Sequence, residues 1–257
     1  MSKHHISHAS ELYYGAAYNP AAFAANGRHG IPIHFMSKVS LGSPVTLDAD
    51  GLIKAATGTE LPNTETVIYT TATDNTSPLD GAIAAPSTVF LNGANRLVWV
   101  LDVPRNITGV VSHSTTTVAM TVTINGYDVY GAPMQETLTF AATATSIAAN
   151  GLKAFKYIYS FVITAAADAE ANTLNLGWGD VLGLPYKLAA ASDIISTLFN
   201  GTAEASTIVV ADTTSPATAI TGDVRGTIDT TSASDGSAVV VWASFDAGSF
   251  GVAQYAG

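Results

Sequence analysis

In Thr117–Ile124 every second residue is apolar: Val118, Met120, Val122 and Ile124 alternate with Thr and Ala. Successive side chains of a strand point to opposite faces, so a period of two marks an antiparallel strand with one buried face. The signal recurs across Leu97–Pro185. Asn125-Gly126 opens a loop that runs to Pro133, after which Leu138, Phe140 and Ala142 resume the alternation. Glu136 falls on the side of Leu138, and the expectation is that it sits at the mouth of the strand, solvated. In Phe155–Ile163 the odd positions Phe155, Tyr157, Tyr159, Phe161 and Ile163 give one aromatic face, with Lys156 and Ser160 opposite. Leu174, Leu176 and Trp178 keep the spacing up to Gly179-Asp180, and Gly177-Trp178-Gly179 reads as a tight β-turn with a packed indole.

Short Val/Ile/Thr/aromatic runs between turn residues point to a sandwich or barrel, not to βαβ units. The expected fold is all-β: an antiparallel β-sandwich body, jelly-roll or Ig-like, over residues 41–257. A subdivision near residue 186 into a main sandwich and a smaller C-terminal β region stays open. Residues 1–40 differ, holding five of the six histidines (His4, His5, His8, His29 and His34) with Tyr13, Tyr14 and Tyr18. Asn19-Pro20, Asn26-Gly27 and Gly30 interrupt any long pattern there. This stretch reads as an extended, largely irregular N-terminal arm, with a short helix around Pro20–Ala25 as an option.

Further strands are expected at Thr66–Thr71, Thr88–Leu91, Leu97–Val103, Ser206–Ala211 and Val239–Phe245. Val45–Ile53 reads as a small hairpin turning at Asp50-Gly51. Asp74–Gly81 and residues 221–236 read as polar loops. Leu188–Phe199 admits a helix, through Leu188, Ile195, Leu198 and Phe199, and equally a strand.

Hydrophobic residues make up 47% of the 257-residue chain and charged ones 12%, about half the usual charged share. A neutral surface of small residues is common where surface becomes interface, which favours an oligomer or assembly. The net charge is −10 and the ten Lys and Arg residues are scattered singly. Without a basic patch to neutralise phosphates, nucleic-acid binding is not expected. The absence of cysteine removes disulfides, thiolate metal sites and thiol nucleophiles. No apolar run approaches the ~20 residues that span a bilayer, and MSKHHISHASELYYG has no apolar signal-peptide core. Synthesis in the cytoplasm with no membrane partner is the expectation.

Chemistry-bearing patterns are few. His4 and His8 would share a helical face as metal ligands can, but no helix signal supports them. His113 is expected in a Ser/Thr loop, without a partner nearby in sequence. Asp48 with Asp50, and Asp168 with Glu170, are oxygen pairs that could serve Ca²⁺ or simply be solvated turn residues. No G-x-S-x-G, P-loop or dinucleotide fingerprint is present. The reading is of a non-enzyme with no catalytic residues, cofactor or metal.

The segments LDVPRNI, VAMTVTINGYDVYGAPMQETL, GLKAFKYIYSFVIT, WGDVLGLPYKL and GDVRGTID together resemble a group of tailed-bacteriophage virion proteins of the head-decoration (cement) or minor capsid type. The resemblance spans about residues 95–230, and the first 90 residues carry no part of it. It implies a sandwich-like body on the outer face of a capsid, binding the major capsid protein as a trimer or dimer and reinforcing the lattice. Attachment is then expected from the arm, through His4, His5, His8, Tyr13, Tyr14, Tyr18 and Phe23. The alternative is a tail or fibre component that recognises a host-surface glycan through the aromatic face or the 221–236 loop.

Overall fold

The computed structural model describes residues 36–54, 66–69, 82–83, 85–113, 119–142, 144–164 and 172–244. Its strands, in chain order, are β1 (Met36–Gly42), β2 (Asp48–Lys54), β3 (Thr66–Tyr69), β4 (Ala82–Ile83), β5 (Ser87–Leu91), β6 (Ala94–His113), β7 (Met120–Tyr127) and β8 (Pro133–Phe140). They continue with β9 (Ser146–Asn150), β10 (Phe155–Thr164), β11 (Asn172–Gly183), β12 (Ile194–Phe199), β13 (Thr202–Glu204), β14 (Ser206–Val209), β15 (Thr227–Thr230) and β16 (Val239–Ser244). Every pairing is antiparallel. The described residues contain no α-helix, only a single 3-10 turn at Ala191–Asp193. The all-β, packed-sheet architecture expected from the alternation is the one found.

The 20-residue β6 organises the larger sheet, whose main path runs β14-β15-β11-β6-β10-β7-β8. Its first half pairs with β5 and β10, its second half with β9 and β11. Between them the register to β10 passes from Val100 to Arg105, across Pro104. Proline has no N–H to give a ladder, so it belongs where pairing is interrupted. The second half of β6 then lies over β8: a Cβ on Gly109 would come within 2.8 Å of the Phe140 ring and 3.4 Å of Leu138. The sheet thus folds over its own core, formed by Trp99, Ile107, Val122, Ile124, Leu138, Phe140, Phe155, Phe161, Leu174 and Leu176 among others.

The bend is pinned by Arg105, whose side chain is fully buried. Its Nε donates to Gly179 O (2.7 Å) and its Nη1 to Val45 O (3.0 Å), while Asp102 and Asp180 each lie 3.2 Å from the guanidinium. A buried charge persists only when paired and hydrogen-bonded, and both carboxylates and both carbonyls are supplied by the segments that meet here. A second sheet, β1-β16-β12-β13, covers a second core of Leu41, Val103, Leu182, Leu184, Leu188, Ile228, Val239 and Val241. β1 begins at Met36, inside the stretch assigned to the arm.

Several local expectations are corrected. Asp50-Gly51 is not a turn, because β2 runs through it to pair with β11 and β4. Glycine is required at 51 because a side chain there would strike the Trp178 ring. Gly177-Trp178-Gly179 is likewise strand, within β11, where a Cβ on Gly177 would meet the Asp48 carbonyl of β2. His113 is the last residue of β6, not a loop residue, and its N–H bonds Thr145 O (2.8 Å). The open choice at Leu188–Phe199 resolves as the 3-10 turn followed by β12. The single aromatic face of β10 does not form, because the register to β7 shifts between Ile158 and Ser160. Phe155, Ile158, Phe161 and Ile163 point into the core and Tyr159 is left outside. Two irregularities, between Phe155 and Tyr157 toward β6 and between Ile158 and Ser160 toward β7, shift the face and shift it back, so Phe161 and Ile163 return to the side of Phe155.

Candidate functional site

Residues 221–236, expected as a polar loop, are largely buried from Asp223 to Ile228 and contain β15. They close an Ω-shaped loop whose neck joins Asp212 to Asp223, with Asp212 N–H donating to Asp223 O (2.9 Å). Asp212 organises the interior: its carboxylate accepts from Thr214 N (2.8 Å) and Gly222 N (2.8 Å). The bonds from Thr214 lead in holding its carboxyl below the usual carboxylate range. Compact loops with joined ends are frequently functional. This one carries Ile220, 77% exposed.

The loop is seated on the free edge of β8. Thr137 N–H donates to Ala219 O (2.8 Å), so the loop caps the edge ladder. Covering an edge in this way prevents unwanted strand pairing. Beneath it lies a chain of buried charges. Arg225 Nη2 is 2.6 Å from Asp128 Oδ2, with both side chains buried. Asp128 Oδ1 in turn accepts from Tyr130 N and Ala132 N (2.8 Å each), fixing the turn between β7 and β8. The Arg225 guanidinium also stacks 5.1 Å from the Tyr130 ring centroid, and Tyr130 Oη donates to Pro185 O (2.8 Å).

Glu136, expected to be solvated, is only 3% exposed. On β8 it shares the inward face with Met134, Leu138 and Phe140. Its carboxylate accepts from Leu152 N and Lys153 N, in the link between β9 and β10. The next N–H, of Ala154, donates to Asp223 Oδ2 (3.1 Å). Burial pushes the Glu136 carboxyl up to about 7, against the pull of those two N–H groups. Lys153 is buried too, and its Nζ donates to Thr218 O (2.7 Å) on the Ω-loop. Burial lowers its pKa. The period-two pattern places Glu136 on the inward face correctly. Its partners lie 16 and 17 positions away, which no local pattern reveals.

These bonded loops present an apolar set. Val129 and Tyr130 are exposed on the β7–β8 turn, Leu152 (55%) on the β9–β10 link, and Ile220 on the Ω-loop. Phe90, 70% exposed, stands on the β5–β6 hairpin. Asn92 and Gly93 turn that hairpin, both at positive φ as a type I′ turn requires. Asn92 Nδ2 donates to Gly131 O (2.6 Å), tying the hairpin to the β7–β8 turn.

The seven residues expected to carry attachment, His4, His5, His8, Tyr13, Tyr14, Tyr18 and Phe23, lie outside the described residues, as do Asp168, Glu170 and residues 74–81. Asp48 and Asp50 are engaged locally. Asp48 Oδ1 accepts from Asp50 N (3.1 Å), and Asp50 pairs with Lys54 at 3.0 Å. Among the described residues no group of three His, Asp or Glu side chains is placed to hold a metal ion, and no helix is long and apolar enough to cross a membrane. No protein-family model, curated protein or solved structure matches the chain.

Proposed function

We propose that the chain is a non-enzymatic structural component of a phage virion, a decoration or cement protein that binds the outer capsid surface and stabilises the lattice. The observation that carries this reading is the set Phe90, Val129, Tyr130, Leu152 and Ile220, exposed on loops that buried charges hold in place. Exposed apolar side chains carried on loops that are tied to one another suit a surface that a partner covers. Because they are already ordered, little conformational entropy is lost on docking. The partner on this reading is the major capsid protein, contacted by a dimer or trimer of the chain, and the phage assignment itself rests on the sequence resemblance. The arm, with its histidines and tyrosines, adds a second contact, and linked contacts gain strength from effective concentration.

The test is depletion and add-back on purified heads. Heads stripped of the chain should lose resistance to heat and osmotic shock, and the wild-type chain should restore it. An Ile220→Ser, Phe90→Ser double variant should bind more weakly. Stripped heads that keep full resistance would overturn the cementing role.

A second reading, a tail or fibre component binding a host-surface glycan, draws on Tyr159, which stays 37% exposed with its ring 5.5 Å from that of Tyr127. Labelling the chain on intact particles and locating it by electron microscopy separates head from tail.

A further inference from the structure

We infer that Glu136 is a proton-controlled latch, whose carboxyl joins β8 to the β9–β10 link and so sets how firmly the Ω-loop is seated. This goes beyond the assembly reading and does not depend on it.

Three consecutive N–H groups of the link, those of Leu152, Lys153 and Ala154, are taken by two carboxylates from different parts of the chain. Glu136 reaches them from β8 and Asp223 from the neck of the Ω-loop. Lys153 then turns its side chain the other way, onto Thr218 O in the same loop. One short link therefore holds the sheet edge through its main chain and the loop through both main chain and side chain.

The link has no slack. A Cβ on Gly151 would stand 2.5 Å from Glu136 Oε2 and 2.9 Å from Ile107 O. Gly151 is itself fixed to β6, its N–H donating to Ile107 O (2.8 Å) and its carbonyl accepting from Asn106 Nδ2 (3.3 Å). Only glycine at 151 leaves the Glu136 carboxylate its place beside the Ile107 carbonyl.

The charged groups facing Glu136 oppose one another. Lys153 from the link attracts the ionised form and Asp223 from the loop repels it, while Asp212 acts on Lys153. β7 presents Ile124 opposite Glu136, and β6 presents Asn106 and Ile107, none of which titrates. Lys153 and Asp223 act in opposite directions, and burial is the largest influence. It favours the neutral acid and raises the carboxyl to about 7, from 4.5 in an open chain. A carboxyl raised on folding contributes stability that is full below the unfolded value and is lost as pH rises through the folded one. The latch is therefore firmest below about pH 4.5, loosens as pH rises toward about 7 and changes little beyond it, where ionised Glu136 meets Asp223 across the link.

The test is amide hydrogen exchange of the full chain, corrected for the intrinsic pH dependence of exchange. Local opening at Leu152–Ala154 and across residues 212–223 should rise about tenfold from about pH 6 to about pH 8, the linkage expected for this shift. Opening at Val122–Ile124, in the core, needs global unfolding, which frees Glu136 as well, and should rise by a similar factor from a far lower level. Glu136→Gln, which cannot ionise, should abolish the rise at Leu152–Ala154. No rise at Leu152–Ala154 and residues 212–223 in the wild type would overturn the latch whether or not the variant folds. So would a pH dependence that survives in Glu136→Gln.

Discussion

The β7–β8 hairpin and the Ω-loop Asp212–Asp223 touch along one edge and are held by opposite means. The hairpin is held by alternation: Met120, Val122 and Ile124 face Phe140, Leu138 and Glu136 across the ladder, and all are buried. The loop has little apolar mass of its own to bury, with Ala217 and Val224 the buried apolar residues of 211–226 besides Ala211. It is held by Arg225 on Asp128, by Asp223 on Ala154 N, by Lys153 on Thr218 O and by the Asp212 carboxylate inside it. Apolar contacts tolerate small adjustments, whereas buried charges demand particular partners. The difference explains how a polar segment can present Ile220 to water from a fixed position.

The largest effect should come from the charged side. Arg225→Ala leaves Asp128 buried without its cation, which typically costs about 3 to 5 kcal/mol, measured by denaturant unfolding. Leu138→Ala, on the apolar side, should cost about 3 kcal/mol, since removal of a buried leucine side chain leaves a cavity. If Leu138→Ala proves the costlier by a wide margin, the Ω-loop is a passenger on the hairpin and not a clamp.

Glu136 sits where the two modes meet and sharpens the comparison by pH. Its ionisation opposes folding, so wild-type stability should fall as pH rises from 4.5 toward 7. At the usual conversion of a pKa shift to free energy the loss approaches about 3 kcal/mol. Glu136→Gln should flatten that window in urea titrations run across pH. Smallest of all, Ile220→Ser should leave stability within about 0.5 kcal/mol, as exposed substitutions do, while weakening attachment to stripped heads in a co-sedimentation assay. A large loss of stability in that variant would mean that Ile220 packs and does not dock.

Much of the hairpin was legible because alternation is a local pattern: β10, β11 and β16 lie where the apolar spacing puts them. β7 overruns its expected end, because Asn125-Gly126, expected to open the loop, stay in the ladder to β8 as far as Tyr127. Less legible were the positions where a neighbouring strand overrides a local signal. Asp50-Gly51 and Gly177-Trp178-Gly179 carry turn residues, yet their glycines are there to let β2, β11 and the Trp178 ring approach closely. The bulge at Ile158–Ser160 divides what spacing alone presents as one aromatic face. Asn92-Gly93 is a hairpin signal that a search for that dipeptide between strands would have found.

By itself the sequence determined the class of the fold, since short runs of period two can bury a face only by pairing into antiparallel sheets. It also determined that charges are scarce, so that each buried one must be shared between distant segments. Tertiary structure alone decided which segments share them. Whether Glu136 is solvated or sealed, and whether residues 221–236 are surface or core, depends on Leu152, Lys153 and Asp128. Those partners are brought in by the folding of the sheet over itself, and a carboxylate's environment is set by what surrounds it in space, not by its neighbours in the chain.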